Sequence, residues 1–383
     1  MTLQEVKSKY KELFSNNSSV YRAPGRINLL GEHTDYNDGF VLPASINKEI
    51  IFAVGKNNTK STCNLYALNF SESFTFDIND MAPVDMQWPN YIMGVVAEIY
   101  KQGKVIEGFD MVFKGDIPIG AGLSSSAALE SGTATALNNI FELNLDKISL
   151  VKIAQLAEHN YAGVKCGIMD QFASVMGKEK SAFKLDCRSL DYSYFPLELN
   201  NYQIILCDTQ VKHSLASTEY NTRRHECETG VEIIKEKNPS VNNLRDVSLE
   251  LMSSYKNKMS RVIYNRCSYV VEENSRVIEA TVALKNKDII RMGELMYQTH
   301  AGLSHKFEVS CNELDFLVNE TKKLNYVAGA RMMGGGFGGC TINLVKRESI
   351  ETFKTAITYS CLNEFGVAAK IYKIEITNGA EKL

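Results

Sequence analysis

Residues 109–127, FDMVFKGDIPIGAGLSSSA, are the stretch on which the fold reading turns. Phe109, Met111 and Phe113 recur at every second position, which predicts a strand. That strand runs into a glycine-rich turn at 115–122, and a helical stretch follows with Leu129, Leu137, Ile140 and Phe141 as its larger apolar residues. Glycine lets a backbone approach a ligand closely, and the free N–H groups at a helix start attract anions. No Gly-Lys-Ser/Thr follows, as a Walker loop needs, and the G-x-G-x-x-G spacing of dinucleotide folds is missing. Alone, the segment reads either as an anion cradle or as a turn that starts a helix.

Outward from this segment, strands and helices mix without a regular βαβ rhythm. Leu3, Val6, Tyr10 and Leu13 share a helical face, and Ile50–Val54 is a β-branched and aromatic run. Asp146 is placed to cap a helix bearing Leu150, Ile153, Ala157 and Tyr161. Tyr202–Cys207 predicts a strand, and Val270, Asn274, Val277, Thr281 and Leu284 a helix. Thr341–Val345 and the alternating Tyr372, Ile374 and Ile376 predict strands around a helix at 348–364. The polar run 236–247 predicts a loop. This is the pattern of an α+β protein. At roughly 150 residues per domain, 383 residues suggest two domains, with the boundary placed near 196–201.

Composition excludes several classes. The 42 Lys and Arg residues against 45 Asp and Glu leave a net charge of −3, without the basic excess of a nucleic-acid binder or a polybasic membrane anchor. A hydrophobic fraction of 44% rules out wholesale disorder. The nine cysteines contain no C-x-x-C pair, so neither a disulfide framework nor a zinc ribbon is expected. The opening MTLQEVKSKYKELF carries charges throughout, unlike a signal peptide, and no run reaches 18 apolar residues. The expectation is a cytoplasmic protein with no membrane partner.

Two further segments carry chemistry. In RAPGRINLLGEHTDYNDG (22–39), Arg26, Glu32, His33, Asp35 and Asn37 crowd hydrogen-bonding groups behind a Pro-Gly turn. The segment reads as a grip for a polyhydroxylated ligand or as a solvated loop. In MMGGGFGGC (332–340), five glycines occupy positions 334–339. Such a loop wraps a ligand or serves as a joint, and its apolar flanks favour a packed location. Glu158 lies at the edge of an apolar helix face, and Asp170 lies in the nearly uncharged GIMDQFAS. A carboxylate among apolar residues needs partners. Each reads as a metal ligand, a general base or a structural helix cap.

Taken together, these segments resemble the motifs of the GHMP small-molecule kinases. GRINLLGEHTDYNDGFVLP resembles the galactokinase signature, and GDIPIGAGLSSSA, GIMDQFAS, SLASTEYNTRRHECE and RMMGGGFGGC extend the match over essentially the whole chain. The resemblance implies a two-lobed α+β fold. An N-terminal mixed-sheet domain (1–198) and a C-terminal α/β-sandwich domain (199–383) would enclose the active site. It implies transfer of the γ-phosphoryl of ATP, with Mg²⁺, to the anomeric hydroxyl of α-D-galactose.

By position, Asp170 matches the family's catalytic base and Arg26 its cationic partner. Glu32, His33, Thr34, Asp35, Gly167, Asp170 and Tyr220 match the sugar site. Gly120, Ala121, Gly122, Leu123, Ser124, Ser125 and Ser126 match the phosphate loop. Ser126 and Glu158 match the metal ligands, and Gly334, Gly335 and Gly336 belong to the third motif. The adenine contacts are not marked. A monomer is expected. Two alternatives share the fold: an N-acetylgalactosamine kinase, and a catalytically silent galactose sensor, whose serine-rich loop would be shortened.

Overall fold

The computed structural model describes residues 2–118, 120–211 and 216–383; Ile119, Ser214 and Leu215 of the quoted motifs lie outside them. The chain begins with helix α1 (Thr2–Leu13), followed by strands β1 (Ser19–Asn28), β2 (Phe40–Val41), β3 (Pro43–Lys56), β4 (Thr62–Ala67) and β5 (Glu72–Asp77). Helix α2 (Gln87–Lys101) leads to β6 (Phe109–Gly115), then to α3 (Ser125–Ile140), α4 (Lys147–Ala157) and α5 (Met169–Met176). Strands β7 (Ser181–Asp186), β8 (Tyr192–Pro196) and β9 (Tyr202–Asp208) come next. Helices α6 (Ala216–Lys235), α7 (Leu249–Ser254), α8 (Arg261–Lys285), α9 (Ile289–Gly302) and α10 (Asn312–Lys322) follow. The chain closes with β10 (Val327–Met332), β11 (Cys340–Lys346), α11 (Ile350–Phe365), β12 (Lys370–Lys373) and β13 (Glu381–Lys382).

One mixed sheet runs β13-β1-β3-β6-β4-β5, with β4 parallel to β6 and the other pairs antiparallel. An antiparallel sheet runs β10-β11-β9-β12, and a small one β2-β7-β8. β6 is buried on both faces. Val112 packs with Val6 and Tyr10 of α1, while Met111 and Phe113 join the core under α2–α5. This double cover explains why Val112 interrupts the expected polar alternation. Asp110 is tolerated there because Asn57 and Asn64 both donate to its Oδ1. Asp146 caps α4, its Oδ1 accepting from Ser149 N at 2.7 Å, a contact worth about 1 kcal/mol.

The second sheet packs Ile205, Cys207 and Val345 against Phe353 and Ile357 of α11. Its other face carries Leu206, Ile342 and Leu344 into the main core, which is therefore continuous from one sheet to the other. Only the first part of the strand expected at 372–376 forms: β12 ends at Lys373. Beyond it the tail changes sheets. Ile374 N donates to Ile204 O, Thr377 N donates to Ser45 O, Ile376 bridges to Ile46, and β13 joins β1. The alternation of Ile374 and Ile376 belongs to that crossing. Within the run 236–247, Leu244–Asp246 form a short 3-10 turn. No helix among the described residues is long and apolar enough to cross a membrane.

Candidate active site

β1 delivers the site's first cation. Its pairing with β3 shifts register between Pro24 and Arg26. Arg26 is 4% exposed; its Nε donates to Asp170 Oδ1 at 2.7 Å and its Nη1 to Gly122 O at 2.5 Å. Residues 144 apart in sequence thus meet as an ion pair at the start of α5, against the glycine loop. Burial works against the Arg26 charge, but Asp170, Glu32 and Asp35 outweigh it and hold the guanidinium above its ordinary pKa. Ser124 Oγ donates to the other Asp170 oxygen at 2.5 Å.

The glycine loop ends at an open helix start. Ser124 sits in the left-handed region (φ 58°) at the N-cap of α3, and no side chain caps that end. The first N–H groups of a sixteen-residue helix are therefore available to an anion. Ala121 and Leu123 are buried, so the loop offers only their main chain. The third motif lies directly against this loop. A Cβ on Gly122 would come within 3.2 Å of Met333 O, and one on Gly334 within 3.3 Å of Gly122 Cα. Gly334 and Gly335 face the cavity beside Asp170, whereas Gly336 packs on Val309.

Glu158 begins a π-turn (Glu158–Ala162) that ends α4, where the widened turn swings its side chain toward α3. Its Oε1 accepts from Ser126 Oγ at 2.9 Å, and its Oε2 from Gln171 Nε2 at 2.6 Å. Glu130, fully buried on α3, accepts from the same Gln171 amide nitrogen at 3.2 Å, and its Oε1 has no partner. Burial pushes Glu158 above its ordinary range, and the Asp170 charge adds to it. Burial and Glu158 push Glu130 well above. A hydroxyl and a carboxyl oxygen side by side, with no protein counter-charge paired to the carboxyl, suit a small divalent cation that takes its remaining ligands from phosphates. Among the described residues, no three His, Cys, Asp or Glu side chains form a cage by themselves.

The cavity on the other side of Asp170 is lined by Arg26, Glu32, His33, Asp35, Cys166, Gly167, Met169, Tyr220, Gly334 and Gly335. Glu32 Oε1 takes Gly334 N at 2.8 Å and Arg331 Nη2 at 3.0 Å. Burial works to raise Glu32, but Arg331 and Arg26 outweigh it and hold the carboxyl below its ordinary range. His33 bonds Tyr36 Oη through Nδ1 at 2.8 Å, while its buried Nε2 has no partner. Burial pushes this imidazole down to about 4, so it is neutral near pH 7. Asp35 stands against Gly167, where a Cβ would fall 1.8 Å from Asp35 Oδ2 and push the carboxyl aside. Burial, with Asp170 nearby, pushes Asp35 up to about 7. Tyr220 packs on His33 and Tyr36. Thr34 departs from its expected place in the sugar site. Its hydroxyl is held by the carbonyls of Gly31 and Phe40, so it pins the loop and does not line the cavity.

Sequence reading missed several residues. Arg331 on β10 is completely buried and binds the carbonyls of Asn28, Leu29 and Met332 besides Glu32. It ties the first motif to the third. Glu273 on α8, also fully buried, accepts from Gly31 N at 2.7 Å, and Tyr269 Oη donates to Glu32 O at 3.0 Å. An apolar recess opens beyond Ser125 and Ser126, walled by Trp88, Tyr91, Phe113, Ile117 and Leu129. A lone charge inside an apolar run, as in VAGARM, was the available signal for Arg331. The recess walls had none, being ordinary core residues by pattern.

Comparison with known proteins agrees with this arrangement. The galactokinase galactose-binding signature matches residues 8–56, the GHMP kinases N terminal domain 90–178 and the GHMP kinases C terminal domain 280–363. The galactokinase of Thermosipho africanus is 42% identical over 362 residues, covering 94% of this chain and 99% of that protein. That of Clostridium acetobutylicum is 38% identical over 382 residues, covering 98% and 97%. The crystal structure of Lactococcus lactis galactokinase complexed with galactose superposes with a TM-score of 0.95 at 34% identity, covering 98% of both chains. With its motifs gathered around one cleft and relatives this similar along nearly its whole length, the chain belongs to the galactokinase family of GHMP kinases.

Proposed function

We propose that the chain transfers the γ-phosphoryl of ATP to the anomeric hydroxyl of α-D-galactose, giving galactose 1-phosphate and ADP. One observation carries this reading. The Arg26–Asp170 pair stands where the hydroxyl-binding cavity meets the glycine loop, touching Gly122 and Ser124 of that loop. Glu32, His33, Asp35 and Tyr220 hold the sugar. The unpartnered His33 Nε2 and the Asp35 carboxyl, both lining the cavity, are the groups left for its hydroxyls. Asp170 accepts the proton of the anomeric hydroxyl as that oxygen bonds to the γ-phosphorus and the bond to ADP breaks. General-base action of this kind is typically worth about 10²–10⁴-fold. Arg26 steadies the charge on the moving phosphoryl group, together with the main-chain N–H groups of the loop and of α3.

Ser126 and Glu158 would hold Mg²⁺, which when bound neutralises charge on the phosphates. The adenine lies in the apolar recess of Trp88 and Tyr91, next to the serines of the loop. The two lobes divide between residues 198 and 199, with the tail from Glu375 returning to the first. We read the enzyme as a monomer working in the cytoplasm, where ATP is available to it.

Galactose-dependent release of ADP from MgATP tests the reading, with phosphorus NMR to identify the α-1-phosphate. N-acetylgalactosamine serves as the competing substrate. Turnover with that sugar in preference to galactose, or no sugar-dependent release, overturns it.

A further inference from the structure

The amide of Gln171 stands between two buried carboxylates, and nothing in the reaction described above uses it. Gln171 is fully buried on the first turn of α5, directly after Asp170. Its Nε2 lies 2.6 Å from Glu158 Oε2 and 3.2 Å from Glu130 Oε2. An amide NH₂ has two N–H donors, so one is available for each carboxylate. In this arrangement the amide NH₂ faces Glu158 Oε2 at 2.6 Å, and the amide oxygen, also buried, has no partner. Glu158 in turn is gripped at both ends: Oε2 by Gln171 and Oε1 by Ser126. Three side-chain torsions are restrained, and Oε1 stays beside the serine hydroxyl.

We propose that Gln171 is a positioning residue for the divalent-metal site, orienting Glu158 so that one chosen oxygen, with Ser126, meets the cation. The inference rests on the reading of Ser126 and Glu158 as the metal ligands. It adds a coupling. Asp170 and Gln171 are consecutive, so a single helical turn holds both the proton acceptor and the brace of the metal ligand. Partners of this kind, one bond removed from a metal, typically change its affinity by about 10–100-fold when lost.

The test uses Mn²⁺ with a non-hydrolysable ATP analogue and galactose, reading bound metal by EPR, alongside the Mg²⁺ concentration for half-maximal rate. Gln171→Leu removes the amide at similar volume, and Gln171→Asn keeps an amide but shortens its reach. Both should weaken Mn²⁺ and raise the Mg²⁺ requirement by about tenfold or more. Galactose affinity measured without metal should stay within about twofold, which a general loosening of α5 beside Asp170 would not allow. Wild-type Mn²⁺ affinity in both variants, with Glu158→Gln still weakening it, overturns the inference and leaves the metal site standing. Unchanged affinity in Glu158→Gln overturns the metal reading and the inference together. Loss of fold in both Gln171 variants makes the residue a core strut and also overturns the proposal.

Discussion

Two carboxylates flank the glycine loop, and each takes a hydrogen bond from one of its serines: Asp170 from Ser124, Glu158 from Ser126. Their other partners differ. Asp170 has the buried guanidinium of Arg26 at 2.7 Å. Glu158 has the Gln171 amide and the Cys166 thiol, with the buried Glu130 on the other side of that amide, and no ion pair among the described residues. Burying a charge without a counter-charge is costly. The protein therefore supplies the cation on the sugar side and leaves the phosphate side short of one. This difference assigns the roles: a carboxylate already paired keeps its geometry whether or not substrate is present, whereas an unpaired one is completed by what binds.

Removing the paired carboxylate should have the largest effect. Asp170→Asn keeps the shape and removes the proton acceptor, and kcat should fall by at least about 10²-fold with nucleotide binding nearly unchanged. Steady-state rates and a nucleotide titration check both halves. Near-normal turnover would reduce Asp170 to an orienting group. Arg26→Ala should cost about 3 kcal/mol of transition-state stabilisation, close to 10²-fold, and appear in kcat. A change confined to the KM for galactose would mean that Arg26 serves ground-state binding only.

The unpaired side responds differently. Glu158→Gln removes a buried carboxyl that burial already penalises, so Tm should hold or rise while the Mg²⁺ requirement increases about tenfold. Arg26→Ala should lower Tm, because it breaks a part-buried pair that was already compensated. Melting curves of the two variants without metal sharpen the contrast, and a fall in Tm for Glu158→Gln would break it.

How much of this was legible follows from where the signals lie. The strand, glycine turn and helix at 109–140 are local, as is the Asp146 cap, and both appear at the expected residues. The meeting of Arg26 with Asp170 is not local. No periodicity relates residues 144 apart, and only the resemblance of whole motifs suggested it. Arg331 and Glu130 carried the signal used for Asp170, a charge among small or apolar neighbours, and each is fully buried with polar partners. Gln171 had no such mark, since a glutamine beside a catalytic aspartate is ordinary on any surface. Thr34 shows the opposite error. It sits inside the most specific motif, yet its hydroxyl serves the loop. The strand at 372–376 broke because alternation cannot tell one sheet from a crossing between two.

Asp35 extends the comparison to a third carboxylate, one that shares the cavity with Arg26 but forms no ion pair with it. Burial and the neighbouring Asp170 push it up to about 7, against an ordinary value of 3.8. The ionised form is the one that accepts hydroxyl hydrogen bonds, so in free enzyme the competent fraction falls as pH drops through 7. The expected outcome is a kcat/KM for galactose reduced only about twofold near pH 7, then falling about tenfold per unit below it. Asp35→Asn should lose that inflection. The sign for stability is the reverse. Between about 4 and 7 the folded chain binds a proton at Asp35 that the unfolded chain has released, so this group's contribution to stability declines as pH rises through that window. Saturating galactose should shift the inflection to lower pH, since the sugar favours the ionised form. A pH profile identical with and without Asp35 would show that the third carboxylate is compensated by the protein after all, and would leave Glu158 alone as the group completed by a ligand.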